Sequence, residues 1–106
     1  MDIQYKDSRL KEKLNNYCSL KKEHEEVIAR KILVRLTEFQ AVDNLEALKT
    51  GPPHYRHRLE GKLKRYFAID ITRKYKIIVE PMNGELERLN TVTSIKIIEI
   101  SNHYSK

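Results

Sequence analysis

Hydrophobic and polar positions alternate with two different periods along this chain, and the period changes after Pro53. Before it the spacing is helical. Ile28, Ile32, Leu36 and Phe39 recur at intervals of four, four and three, with Leu33 beside them. Glu23, Glu25, Glu26, Arg30, Lys31 and Arg35 lie mostly off that stripe, which predicts an amphipathic helix that Ser19 is placed to cap. An earlier helix is predicted from Asp7, its N-cap, to about residue 17, with Leu10, Leu14 and Tyr17 on one face. Ahead of it Ile3 and Tyr5 alternate with Asp2 and Gln4, predicting a short strand over 1–5. Asp43 followed by Glu46 has the spacing of a capping box, so a further short helix is expected there, ended by Gly51 and Pro52-Pro53.

After Pro53 the period is two. Phe67, Ile69 and Ile71 alternate with Tyr66, Ala68, Asp70 and Thr72; Tyr75, Ile77 and Val79 alternate with Lys76, Ile78 and Glu80. The tight turn at Arg73-Lys74 predicts an antiparallel hairpin with one apolar face, set against the helices. Asn83-Gly84 is a turn signal. The β-branched run over 92–101 reads as a strand buried on both faces. The expected architecture is one α+β domain over residues 1–106, with the N-terminal strand and helices on one face of a small antiparallel sheet.

Composition narrows the class. A chain of 106 residues has room for one modest core, burying roughly two-thirds of its unfolded surface. With 40% apolar and 34% charged residues, a thin core under a large solvated surface is expected. The single cysteine, Cys18, rules out an intrachain disulfide and reads as inert rather than nucleophilic. With no signal-like or membrane-length apolar run, a cytoplasmic location is expected. Cys18, His24, His54, His57 and His103 lack paired ligand spacing, so no metal or other cofactor is called for. His24, in an acidic stretch, reads as a surface residue.

Charge changes the picture most. Residues 54–76 carry Arg56, Arg58, Lys62, Lys64, Arg65, Arg73, Lys74 and Lys76 against Glu60 and Asp70, which is the whole of the chain's +6 net charge. The hairpin's second face, with Tyr66, Asp70 and Lys76, is expected to gather these cations and His57 on an open surface. Solvated surface is the ordinary explanation of such a stretch, and packing that of Tyr66 and Tyr75. The functional one is RNA, where cations hold phosphates and rings stack on bases. RNA cleavage through the 2′-hydroxyl needs a general base, a general acid and cations for the phosphate. His57, His103 and Tyr104 suit the proton work; Lys62, Lys64, Arg65 and Lys76 suit the charge work.

The segment His57-Arg58-Leu59-Glu60-Gly61-Lys62-Leu63-Lys64-Arg65-Tyr66-Phe67-Ala68-Ile69-Asp70-Ile71, then Tyr75-Lys76-Ile77-Ile78-Val79-Glu80, then Ile97-Ile98-Glu99-Ile100-Ser101-Asn102-His103-Tyr104, resembles the HigB-type killer-protein toxins of the RelE/ParE superfamily. The Leu59-x-Gly61 and Tyr75-Lys76-Ile77 anchors carry the likeness, which spans essentially the whole chain. It implies a RelE-like fold and the toxin of a type II toxin–antitoxin system. Such a toxin is a metal-independent endoribonuclease (an mRNA interferase) that cuts messages on the ribosome. A helix-turn-helix antitoxin neutralises it and represses the operon at operator DNA together with it. The likeness places His57, Lys76, Asn102, His103 and Tyr104 in the catalytic set, with His57 as base or acid and His103 or Tyr104 as its partner. Arg56, Arg58, Lys62, Lys64, Arg65 and Lys74 are the expected RNA contacts. Lys76 stands where the family usually has arginine, Glu60 where it has lysine, and Asn102-His103-Tyr104 where it has Asp-Tyr-His. Two alternatives follow: a ParE-like DNA gyrase inhibitor, which needs no acid–base residues, and a weakened homologue that binds only antitoxin and operator DNA.

Overall fold

A computed structural model describes residues 1–102. The chain runs β1 (Asp2–Tyr5), α1 (Ser8–Leu14), α2 (Tyr17–Glu23), α3 (Glu26–Ala41), β2 (His57–Arg58), β3 (Phe67–Asp70), β4 (Lys76–Pro81) and β5 (Ser94–Ser101), with 3₁₀ turns at Leu45–Ala47, Gly61–Leu63 and Leu89–Thr91. The protein is α+β, as expected, but its five-stranded sheet is mixed rather than antiparallel. The strand order is β1-β5-β4-β3-β2, and β1 lies parallel to β5 while every other pair is antiparallel. Periodicity shows which face a residue takes but not the direction of its neighbour. Here the first and last strands of the described chain meet side by side, joined through everything between them.

The helices begin and end on local chemistry. Asp7 caps α1 as expected, its Oδ1 accepting from the Leu10 N–H at 2.8 Å. Asn16, not Ser19, caps the next helix, accepting from the Ser19 N–H at 3.2 Å. The stretch foreseen as two helices is three, with α2 closing at His24 and α3 opening after Glu25. Asn15 contributes, its side-chain amide donating to the Lys11 carbonyl at 2.7 Å and so satisfying the end of α1. Asn44 rather than Asp43 caps the 3₁₀ turn at Leu45–Ala47, accepting from the Ala47 N–H.

One apolar layer joins helices and sheet. Ile28, Ala29, Ile32, Leu36 and Phe39 of α3 meet Phe67, Ile69, Ile71, Ile77, Val79, Ile95 and Ile97 of the sheet, so the foreseen apolar hairpin face is the core face. His24 is not the surface residue expected: its side chain is 16% exposed, and its ring stands edge-on to Tyr75 with centroids 6.1 Å apart. Burial lowers its pKa from the ordinary histidine value; Glu23 opposes the shift and Lys13 adds to it.

The far face of the sheet is not the open basic surface predicted. Ala68, Ile78 and Leu59 form a second small cluster there, with Leu63, Tyr66 and Ile98 against it. Nor is β5 buried on both sides. The β4–β5 register shifts between Ile78 and Val79, pairing Ile78 with Glu99 and Val79 with Ile97. Ile98 is left as the extra residue of a bulge, which resets the alternation. Ile97 and Ile100 therefore both reach the main core, while Ile98 joins the small cluster and Glu99 is exposed. No helix among the described residues is long and apolar enough to cross a membrane.

Candidate functional site

The tip of the β3–β4 hairpin stands beside the loop leading into β2. The Asp70 N–H donates to the His54 carbonyl at 2.7 Å, extending the β2–β3 pairing backwards past His57. Between tip and loop lies a cleft of about 810 Å³, lined by Thr50, Pro53, Tyr55, Arg56, His57, Asp70, Ile71, Thr72, Arg73 and Lys76. It combines a histidine with cations.

A partly buried clamp sets the loop. Arg35 of α3 donates from Nε to the Asp70 carbonyl at 2.7 Å, from one terminal nitrogen to Glu38 at 2.9 Å and from the other to the Pro53 carbonyl at 3.4 Å. His54 is 6% exposed. Its Nδ1 accepts from the Lys49 N–H at 3.1 Å, so the proton of its neutral ring is on Nε2, which donates to Glu38 at 3.3 Å. Both sides of the cleft are thus tied to α3. The loop crosses from Pro52 to Pro53 through a cis peptide bond.

His57 projects on the far face of the sheet, in register with Ala68. Its Nδ1 lies 3.2 Å from the Tyr55 carbonyl. A carbonyl only accepts, so Nδ1 carries the proton in the neutral ring and Nε2 keeps its lone pair. That arrangement suits a proton acceptor. Lys76 also lines the cleft but is 4% exposed and committed: Nζ donates to Asp70 Oδ1 at 2.6 Å and to the Arg73 carbonyl at 3.0 Å. Its charge is balanced inside the fold, and two of its three N–H groups are taken.

The expected RNA contacts divide. The Arg56 guanidinium turns inward, one nitrogen reaching the carbonyls of Leu45, Glu46 and Leu48 at 3.2, 3.1 and 2.6 Å. Its burial lowers its pKa, with Glu46 opposing the shift. Arg58 donates to the Lys64 carbonyl at 2.6 Å and approaches Glu87 at 3.7 Å; Arg65 approaches Glu80 at 3.5 Å. Lys62 and Lys64 are exposed on and after the 3₁₀ turn at Gly61–Leu63. With Arg65 they sit at the opposite end of the hairpin from the cleft, about 10–15 Å away by strand rise. Glu60 is exposed at the start of that turn and does not line the cleft. Lys74 is exposed, with Nζ 6.0 Å from the Tyr75 ring centre.

Asn102 is exposed and follows Ser101, which pairs with Lys76 and brings this end of β5 to the cleft end of the sheet. His103 and Tyr104 lie outside the described residues. Among the cleft residues not foreseen as site residues are Tyr55, 48% exposed on a backbone with φ +46°, and Arg73 at the hairpin tip. Turn chemistry marks position 73 as a tip, but the pairing that brings the loop of residue 55 beside that tip has no local signal. Among the described residues no three His, Cys, Asp or Glu side chains group as metal ligands. No protein-family model, curated protein or solved structure matches the chain.

Proposed function

We propose that this protein is the toxin of a type II toxin–antitoxin system, a RelE-like, HigB-type endoribonuclease that cuts messenger RNA on the ribosome in the cytoplasm. A helix-turn-helix antitoxin neutralises it and brings it to operator DNA. The observation that carries the reading is His57: it lines a cleft beside cations, with Nδ1 held by a backbone carbonyl and Nε2 left without a partner among the described residues. In this reading Nε2 takes the 2′-hydroxyl proton, the alkoxide attacks the adjacent phosphorus, and the 5′-oxygen leaves with a proton from His103 or Tyr104. No metal is required, because the nucleophile belongs to the substrate.

The test is cell-free translation. The wild-type chain should cut translated messages, and His57→Ala should lower the cleavage rate about 100-fold or more, the usual scale for a lost proton-transfer group. Intact messages with wild-type protein would overturn the reading. The Asp70–Lys76 pair favours a second reading, a weakened homologue that binds only antitoxin and operator DNA, since it neutralises the charge expected to meet the phosphate. Antitoxin binding without cleavage would select it.

A further inference from the structure

Tyr55 is an aromatic ring that the fold does not use. It belongs to neither apolar cluster, and its hydroxyl has no hydrogen bond among the described residues. Tyr66 and Tyr75, by contrast, both pack. The Tyr55 backbone sits in the left-handed region, where a side chain is disfavoured and glycine is the ordinary occupant. It is held there from both sides. Its N–H donates to the Gly51 carbonyl at 2.9 Å, its own carbonyl receives His57, and the next N–H, of Arg56, donates to Lys49 at 2.9 Å. A costly backbone conformation that presents an unpacked ring at the rim of a cleft is a feature of binding sites.

Arg73 complements it across the cleft. Arg35, Arg56, Arg58 and Arg65 all have partners, whereas the Arg73 guanidinium has no hydrogen bond or ion pair among the described residues. Lys76 is balanced by Asp70 and Arg56 is turned inward, so among the described residues Arg73 is the uncommitted cation of the cleft. Its carbonyl is gripped by Lys76, which fixes the tip that carries it. A planar guanidinium suits a phosphate, and a cleft of about 810 Å³ has room for a nucleotide.

We propose that Tyr55 and Arg73 form a nucleotide subsite for single-stranded RNA, with a base stacked on the Tyr55 ring, its phosphate on Arg73 and its ribose toward His57. The proposal rests on the ribonuclease reading for its choice of RNA. Lys76 then acts as a positioning residue for the tip. Sequence-independent stacking is the expected mode, since every base offers a π face and, among the described residues, no buried polar side-chain atom is left over to read base edges.

The experiment is fluorescence anisotropy with a labelled, uncleavable 2′-O-methyl RNA hexamer and the same hexamer made abasic. Wild-type protein should bind the base-bearing strand about fivefold to 100-fold more tightly, the range measured for one stacked base. Tyr55→Gly, which relieves the left-handed backbone and is expected to fold at least as well, should lose that preference; Tyr55→Phe should keep it. Arg73→Ala should weaken both strands and reduce the salt slope by about one, with Arg73→Lys retaining the slope. Equal wild-type binding of the two strands, or an undiminished preference in Tyr55→Gly, would overturn the subsite. Cleavage assays on the same proteins separate the two ideas. Tyr55-dependent binding without message cleavage supports the subsite and overturns the nuclease reading; cleavage with Tyr55-independent binding does the reverse.

Discussion

Asp70 and Lys76 pair across β3 and β4, 7% and 4% exposed, with their charged atoms 2.6 Å apart. A buried pair of this kind adds little net stability, because desolvation offsets most of the attraction, but removing one member strands the other charge. Asp70→Ala should therefore destabilise the protein by about 3–5 kcal/mol in urea denaturation, and the double change Asp70→Leu with Lys76→Met should recover most of it. A midpoint unchanged in Asp70→Ala would show that Lys76 finds another partner or reaches water. In the sequence Lys76 is one of eight cations in a basic stretch and nothing local marks it as buried. Its commitment arises because Asp70, six residues away, folds back opposite it. Arg56 is equally illegible, since its three carbonyl partners come from a turn about ten residues earlier.

At the scale of elements, periodicity was a good guide. The stripe on α3 and the alternation on β3 and β4 each depend on neighbours within a few residues, so both apolar faces were assigned correctly. Phe39 is fully buried between α3 and the sheet, and Phe39→Ala should cost about 3–5 kcal/mol by urea or thermal unfolding. Val34→Ala, on the exposed side of the same helix, should stay within about 0.5 kcal/mol. Similar losses for both would mean that α3 does not dock by the face described. The helix boundaries and β5 were less legible. Asn16 and Asn44 compete with Ser19 and Asp43 as caps within one turn, and tertiary docking chooses between them. The bulge at Ile98 is set by pairing with β4, and without it Ile100 would turn away from the core.

Across the whole molecule the +6 segment is no longer a single surface. Its cations split between the cleft at the hairpin tip and the cluster of Lys62, Lys64 and Arg65 at the other end, with the small Leu59–Ala68–Ile78 cluster between them. The helices also couple to the tip, Arg35 through the Asp70 carbonyl and His24 through Tyr75. The burial of His24 makes stability depend on pH. With a folded pKa below its unfolded value, His24 binds its proton more readily in the unfolded chain. Its contribution is complete above the ordinary histidine value of about 6.5 and is lost as the pH falls through the lower folded value. Between pH 8 and pH 5 the wild-type Tm should fall further than that of His24→Gln, measured by circular dichroism in a common buffer. Parallel curves would remove His24 as the cause.

The sequence by itself determined the apolar stripe of α3, the core face of the hairpin and the concentration of basic residues over 54–76, because each depends on residue types a few positions apart. Only the tertiary structure decided the parallel partner of β1, the bulge in β5, the tautomer of His57 and the fate of each cation. It also brought the loop of Tyr55 beside the tip that carries Arg73. These depend on which distant backbone carbonyls and carboxylates the folded chain brings within hydrogen-bond reach, and no local pattern encodes that distance.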